Sequence, residues 1–471
     1  MSVEQLRSEL SNINAYIGEH AEYLKVNRTL FEIYNGNLCY YLCQAIDNET
    51  KSDLTREEIK ARLNTTNILT KVVQKLSKVY NAKVARKLLY SDKENYQEIF
   101  DEMEINLRIT QKMKNANELI NISNCVAIEP VFIDGMNEIR VIPAHQFLPY
   151  SNNKYDKTKM THFIKFIGED KILNERNDMN IYSRFIVYDN ESWLECNTGG
   201  DIYSSGDHFL GEIPFVYINK NEYLLKPFED ADTLHMCLLL PLMLTDLNFA
   251  LRFQSHSIVY GVNVDASNLS MTPNAFWSFS SNGQDGDKPI IGTINPSVDS
   301  EKMIATVNHE FTLWLDTKNI KTDALRQSYS GDTMSGISKA IDNADVNDIV
   351  DQDTILFKDA EDKLWNLIRK MYNSKFIETK INVDTLEEDF LPTIIFYRKP
   401  VVIETSKEKL ENIITKIYNN FMTVRMALKE IYPDMSDDEI EMLIKEIESE
   451  RLSKASTDND TNSEGLSDNN S

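Results

Sequence analysis

The sequence predicts an α+β fold that is mainly α-helical, and three observations carry the prediction. The stretch from Lys321 to Tyr372 holds the longest uninterrupted helical pattern. In it Leu356, Ala360, Leu364, Leu367 and Met371 recur at steps of four, four, three and four, the apolar stripe of a helix lying on a core. Residues 1–120 read as helical, and at Asn124 the pattern changes to short β-rich runs. Only 12 prolines and 15 glycines occur in 471 residues, so regular structure dominates over linker.

In chain order, Val3–Ile17, His20–Tyr34 and Leu38–Ile46 are the first helices. A longer one starts at Asp53, which Asp53 or Thr55 can cap, and breaks near Asn64–Asn67. Asn95–Ile120 is read as one more helix. Cys125–Phe132, Glu138–Ile142, His162–Ile167, Tyr182–Tyr188 and Ser192–Glu195 are predicted strands, with turns at Asp134-Gly135 and Asp189-Asn190. The block ends near Asn219 after the extended Ile213–Tyr217.

Helix returns at Pro227 and runs to about Ser255, with Pro241 expected to kink it or mark a join. Strand runs at Ile258–Val264, Phe276–Ser280 and Pro289–Ile294 follow, and Asp299 or Ser300 caps a helix to about Asp316. A small β-unit is thus flanked by two helices whose outer ends return to one body. A polar loop, Gln327–Thr333, opens into the long helix, with Thr333 or Ser335 as a candidate N-cap. The first half of that helix is acidic: Asp342, Asp345, Asp348 and Asp351 recur every third residue and drift around its surface. Leu391–Lys399 is a strand expected to pair back into the block before Asn219. Ser406–Tyr418, Met422–Ile431 and Ser436–Glu450 close the chain as helices, with Thr423 and Ser436 as caps, and residues 453–471 are expected to be disordered.

The formal charge of −24 argues against gripping nucleic acid by neutralising phosphates and favours solubility. Five scattered cysteines and no signal peptide fit a reduced intracellular chain. No apolar run reaches the length of a membrane span; Met236–Leu244 is too short. Gly331–Gly336 has the spacing of a phosphate loop, but Ile337-Ser338 follows where lysine is required. The Asp342–Asp353 run lacks the glycine and closing glutamate of a calcium loop and reads as a solvated or channel-facing acidic surface. Cys39 and Cys43 share a helix face, yet no second pair or histidine completes a zinc site. The seven histidines are dispersed, and His235 and His256 are read as surface or core residues. No catalytic set follows from spacing, so no enzyme activity, cofactor or metal is expected.

The order of these parts resembles the portal protein, or head-to-tail connector, of tailed bacteriophages. Asn419–Leu428, Tyr432-Pro433, Ser436–Glu441 and Glu446–Glu450 resemble that family's short-helix, proline, acidic-helix ending. Ser335–Ile341 resembles the small-residue start of its long helix, and Ile213–Val216 the segment before its first stem helix. The Leu38–Cys43 stretch has no counterpart in that pattern.

The resemblance implies a dodecameric homo-oligomeric ring at one capsid vertex, the channel for packaging and ejection of double-stranded DNA. It divides the chain into an N-terminal helical region and β-rich wing (1–225), a first stem helix (226–256), a clip (257–298) and a second stem helix (299–320). A tunnel loop (321–335), a long wing helix with returning strand (336–403), a crown (404–452) and a polar tail (453–471) follow. Lys321, Arg326, Gln327, Ser328, Tyr329, Ser330, Gly331, Asp332 and Thr333 would meet DNA without sequence preference. Asn282, Gly283, Gln284, Asp285, Gly286, Asp287 and Lys288 would face the terminase large subunit and later head-tail adaptor proteins. Major capsid and scaffolding proteins are further implied partners, a membrane is not, and the location is the virion, with host cytoplasm during assembly. The alternative is a non-channel helical scaffold or adaptor of the virion.

Overall fold

The structure, a computed structural model, describes residues 3–49, 53–88, 96–133, 136–173, 179–226, 231–255, 258–262, 290–294, 299–318, 320, 344–374, 386, 390–397, 406–419, 421–432, 435 and 439–447. They fall into two compact units, one drawn from Met1–Arg326 and Ala344–Lys399, the other from Gln327–Asn343 and Pro400–Ser471.

The first unit opens with α1 (Val3–Glu19), α2 (Ala21–Glu32) and α3 (Leu38–Glu49). Leu6, Ile13 and Ile17 lie on one face of α1 and are buried against the β-block. A wide π-type turn, Ile33–Asn37, joins α2 to α3 and contains Gly36 at φ +105°, where a Cβ would be strained. Next come α4 (Asp53–Lys60) and α5 (Ile68–Leu76), separated across the expected break. Asn67 caps α5, its side chain accepting from the Thr70 N–H at 3.3 Å.

Two expectations for this region are corrected. The single helix read over Asn95–Ile120 is two, α6 (Tyr96–Leu107) and α7 (Ile109–Ser123), parted at Arg108 with φ +47°. The stretch before it contains a strand, β1 (Lys83–Leu88), where only helix was read. It pairs antiparallel with the late strand β12 (Pro392–Tyr397), Lys83 opposite Tyr397 and Leu88 opposite Pro392. The late strand therefore joins the N-terminal region and not the block before Asn219. The physical reason lies in the side chains: Val84, Arg86 and Leu88 share one strand face, and an arginine hides the inward alternation.

The β-block forms two antiparallel sheets, and all five strand runs read from the sequence fall in them. β2 (Cys125–Ile133) pairs with both β3 (Met136–Pro143) and, further on, β9 (Val216–Asn219). The second sheet runs in sequence order through β4 (Phe147–Tyr150), β5 (His162–Leu173), β6 (Met179–Tyr188), β7 (Ser192–Asn197) and β8 (Ile202–Asp207). β4 and β8 were not foreseen, being short edge strands with little apolar alternation. The Asp189 carboxylate accepts from the Glu191 and Ser192 N–H groups at 2.7 Å each and fixes the β6–β7 turn.

Beyond the sheets are α8 (Ala231–Ser255), the hairpin β10 (Ile258–Val262) with β11 (Ile290–Ile294), and α9 (Ser300–Thr317). Pro241 lies inside α8, and Thr245 Oγ1 donates to its carbonyl at 2.8 Å. Of the two candidate caps it is Asp299 that caps α9, accepting from the Lys302 N–H at 3.1 Å. The long helix is α10 (Ala344–Asn373). Its residues Phe357, Leu364, Trp365 and Ile368 enter one large core with Phe100 of α6, Val72 of α5 and Ile394 of β12.

In the second unit α11 (Ser406–Tyr418), α12 (Val424–Ile431) and the helical residues 439–447 follow the order expected of the chain's end. Thr423 caps α12, accepting from the Met426 N–H at 3.3 Å. Ile413, Ala427, Leu428 and Ile440 are buried in this unit.

Candidate functional site

Two features of the first unit are candidates for function: the helix–hairpin–helix excursion and the anchorage of the long helix. The excursion leaves and re-enters the body at one place. Asp232, in the first turn of α8, lies 3.8 Å from the Lys318 ammonium just past α9. α8 and α9 pack side by side, and β10 pairs with β11 at the far end of both helices, Ile258 opposite Ile294.

Near its base the excursion is well seated. Thr233, Met236, Cys237 and Leu240 of α8 and Trp314 and Leu315 of α9 are buried. Farther along α8, the Asn64 N–H donates to Thr245 Oγ1 at 3.0 Å and Arg62 lies over the Phe249 ring. Cover then thins: Leu251 of α8 and Ile304 of α9 are exposed. α8 is apolar nearly all round. Its span Ala231–Leu251 has a mean hydropathy of 1.6 and is long and apolar enough to cross a membrane, although only 33% of it is buried. The run that looked too short in the sequence is lengthened by apolar residues on both sides of Pro241. Its apolar residues from Leu234 to Ala250 are buried or half-buried by the same chain, and Leu251 is left exposed.

The long helix is held differently from the expected division into an acidic first half and an apolar second half. Val346 and Val350 are buried in the first half, so the stripe runs its whole described length. Ala360, Leu364 and Leu367 are buried as foreseen, while Leu356 and Met371 are partly buried against the same core. Asp348 and Asp351 are exposed, as a solvated acidic surface requires. Asp353 departs from it: it is buried, and the Lys220 ammonium donates to it at 2.9 Å and to Asn121 Oδ1 at 2.8 Å.

Two turns on, Glu361 is fully buried and receives Arg86 Nε at 2.6 Å, Arg86 Nη2 at 2.8 Å and the Tyr80 hydroxyl at 2.7 Å. Arg86 Nη1 donates further to Glu104 and Thr110, at 2.7 and 2.9 Å. Burial alone would push the guanidinium toward losing its charge, but Glu361 and then Glu104 outweigh burial and raise its pKa. Burial and the Glu361 carboxylate push the Tyr80 hydroxyl well above its usual value. One carboxylate therefore ties α10 to β1 and to the turn at Tyr80, while Arg86 extends the tie to α6 and α7. Neither anchor was read from the sequence. The signal was present: Asp353 and Glu361 sit in the helical register of Phe357 and Leu364, where a charge predicts a buried partner.

The residues assigned to the tunnel loop (Lys321, Arg326, Gln327, Ser328, Tyr329, Ser330, Gly331, Asp332, Thr333) lie outside the described residues, as do those assigned to the clip (Asn282–Lys288). The expected start of the long helix before Ala344, the strand at Phe276–Ser280, His256 and the tail 453–471 lie outside them too. His235 is exposed, and among the described residues no group of three or more His, Cys, Asp or Glu is placed to hold a metal.

No family model matches the chain, and no curated protein matches it. Among solved structures it is similar to a chain from the neck of an empty gene transfer agent particle, computed with C6 symmetry. The two are 8% identical, the match covers 78% of this chain and 90% of that one, and the TM-score is 0.39. That is a remote likeness in the course of the chain to one chain of a virion neck, and it leaves the family open.

Proposed function

We propose that the chain is a portal subunit: copies form a ring, dodecameric by the family resemblance, at one capsid vertex. Through the ring's channel double-stranded DNA is packaged by a terminase motor and later ejected. In this reading Asn282–Lys288 meet the terminase large subunit and then head-tail adaptors, and Lys321 and Arg326–Thr333 touch passing DNA. The wing meets capsid and scaffolding proteins. The protein carries out no catalysis, needs no cofactor, and resides in the virion after assembly in the host cytoplasm.

The observation that carries the proposal is the helix–hairpin–helix excursion closed at its base by Asp232 and Lys318. Among the described residues the excursion's ladder has two strands and five paired positions, which is marginal by itself. It is carried on a helix many of whose apolar side chains are only half-buried and whose Leu251 is exposed. Side-by-side repetition around an axis covers such a helix without leaving a free end. The acidic exposed Asp348 and Asp351 fit a body that must not adhere to DNA.

The test is the mass and image of the purified protein in detergent-free buffer at micromolar concentration over several salts. Light scattering and negative-stain images are expected to give a large closed ring. A strictly monomeric species overturns the portal reading and leaves the scaffold or adaptor reading. A protein that stays in solution only with detergent assigns Ala231–Leu251 to a bilayer and overturns it as well.

A further inference from the structure

The five-stranded sheet leaves half of one strand unpaired. β4 pairs with β5 at His162, Phe163, Ile164 and Lys165, whereas β6 pairs with it on to Leu173. Among the described residues, no strand pairs with residues 166–173 of β5 on the β4 side. Ile167, Gly168, Glu169 and Lys171 are exposed there. Such an edge presents a row of open backbone donors and acceptors. A groove of 820 Å³ lies between this edge and α2. It is lined by the half-buried Leu24 and Phe166 and by the exposed Lys25, Arg28 and Lys171; Glu169 is the one acid among its described lining residues. Lys25 and Arg28 meet Glu22 and Glu32 across exposed helical turns, at 3.8 and 3.4 Å. Pairs so exposed contribute little, so both cations can turn to a ligand.

We propose that this edge and groove take up an extended acidic segment of another protein, which adds to the sheet as a strand beside β5. The segment's backbone satisfies the open N–H and C=O groups of β5. Its alternate side chains enter the groove, apolar ones against Leu24 and Phe166 and carboxylates against the three cations. The cationic bias is local: the whole chain carries a formal charge of −24, yet the charged lining is Lys25, Arg28 and Lys171 against Glu169. A bulge, where the β5–β6 register shifts between Phe166 and Gly168, guards the edge against indiscriminate pairing. A second copy of the chain fits less well. Two β5 edges paired with each other would set Lys25, Arg28 and Lys171 of one copy against the same cations of the next. The sheet's other edge is β8, and head-to-tail pairing of β8 with β5 repeats after four strand steps. At about 20–25° of twist per step each copy would turn by roughly 80–100°, and the array would wind into a spiral. The site does not rest on the portal reading.

The test uses the full chain and a fluorescent peptide as long as the open edge, alternating valine and glutamate, with binding read as anisotropy. Saturable binding is expected. A peptide alternating valine and lysine should bind about tenfold more weakly, as three exposed ion pairs allow. The acidic peptide N-methylated throughout keeps its side chains, loses its backbone donors and should not bind. Lys25→Glu, Arg28→Glu and Lys171→Glu together should reverse the preference between the two unmethylated peptides, and far-ultraviolet circular dichroism checks that this variant is folded. An acidic peptide that does not saturate, an N-methylated form that binds as well, or an unchanged preference in the variant overturns the proposal. So does a change in particle mass by light scattering on charge reversal, because it would assign the groove to a neighbouring copy.

Discussion

Glu361→Ala tests how the long helix is held. The carboxylate accepts three hydrogen bonds, two from Arg86 and one from Tyr80, and neither side chain of the Arg86–Glu361 pair has exposed surface. Its removal leaves a buried guanidinium with Glu104, whose side chain is 29% exposed, as its remaining carboxylate beside the Thr110 hydroxyl, and strips the Tyr80 hydroxyl of its acceptor. Breaking a buried pair from one side costs about 3–5 kcal/mol, because the remaining charge stays desolvated. With a urea dependence of about 3 kcal/mol per molar, suited to a large unit, the midpoint falls by roughly 1–1.7 M.

The assay is urea unfolding at fixed protein concentration, followed by tryptophan fluorescence. Trp365 is 1% exposed and lies one turn beyond Glu361, so it reports on this core. A companion variant, Arg86→Met with Glu361→Leu, removes both charges and fills the space with apolar groups. It should recover most of the loss, because a buried pair contributes little net stability against a packed apolar replacement. A midpoint for Glu361→Ala within roughly 0.2 M of the unaltered chain would refute the reasoning. A double variant as unstable as the single one would do the same, since it would place the loss in packing and not in the stranded charge.

Two further outcomes are expected. Asn67→Ala removes the cap of α5 and the bond that Asn67 Nδ2 donates to the Ile33 carbonyl at 2.8 Å, and should destabilise the first unit by about 1–2 kcal/mol in the same assay; an unchanged midpoint would mean that the cap is replaced by water. His145 is held neutral by burial and then by the Arg28 charge, its pKa lowered to about 4 from an unfolded value of about 6.5. The unfolded chain therefore takes up a proton first, so this group's contribution is present above pH 6.5 and lost as pH falls toward 4. His145→Gln should flatten the decline of the urea midpoint between pH 7 and 5, and an equally steep decline in the variant would remove His145 as a source.

Much of the fold was legible because its signals are local. Helices α1, α2 and α3, the caps Asp299 and Thr423, and the turn at Asp189 depend on periodicity or on one side chain reaching a nearby N–H group. The failures are non-local or hidden by charge. β1 has a partner more than three hundred residues away, and its inward face carries Arg86. Arg108 divides α6 from α7 through a left-handed backbone conformation, which no glycine or proline announces.

The same limit governs the functional reading. Excursion and returning strand were visible as an order of elements, and order alone drew attention to loops and turns as the sites of action. The described contacts shift weight to the long helix. A stripe reaching from Val346 to Tyr372, with Asp353 and Glu361 each gripped by a cation from another element, makes α10 a strut between the N-terminal region and the end of the β-block. Glu361 is reached by Arg86 from the N-terminal helical region, and Asp353 by Lys220 from the end of the β-block. Lys220 also precedes α8 by only a short segment, and its own N–H donates to the Asn124 carbonyl at 2.9 Å. The strut is therefore fastened beside β9, the edge strand of the smaller sheet. Charge thus fixes α10 at two points of a core that apolar packing fills, a distinction that a pattern of apolar spacings does not contain.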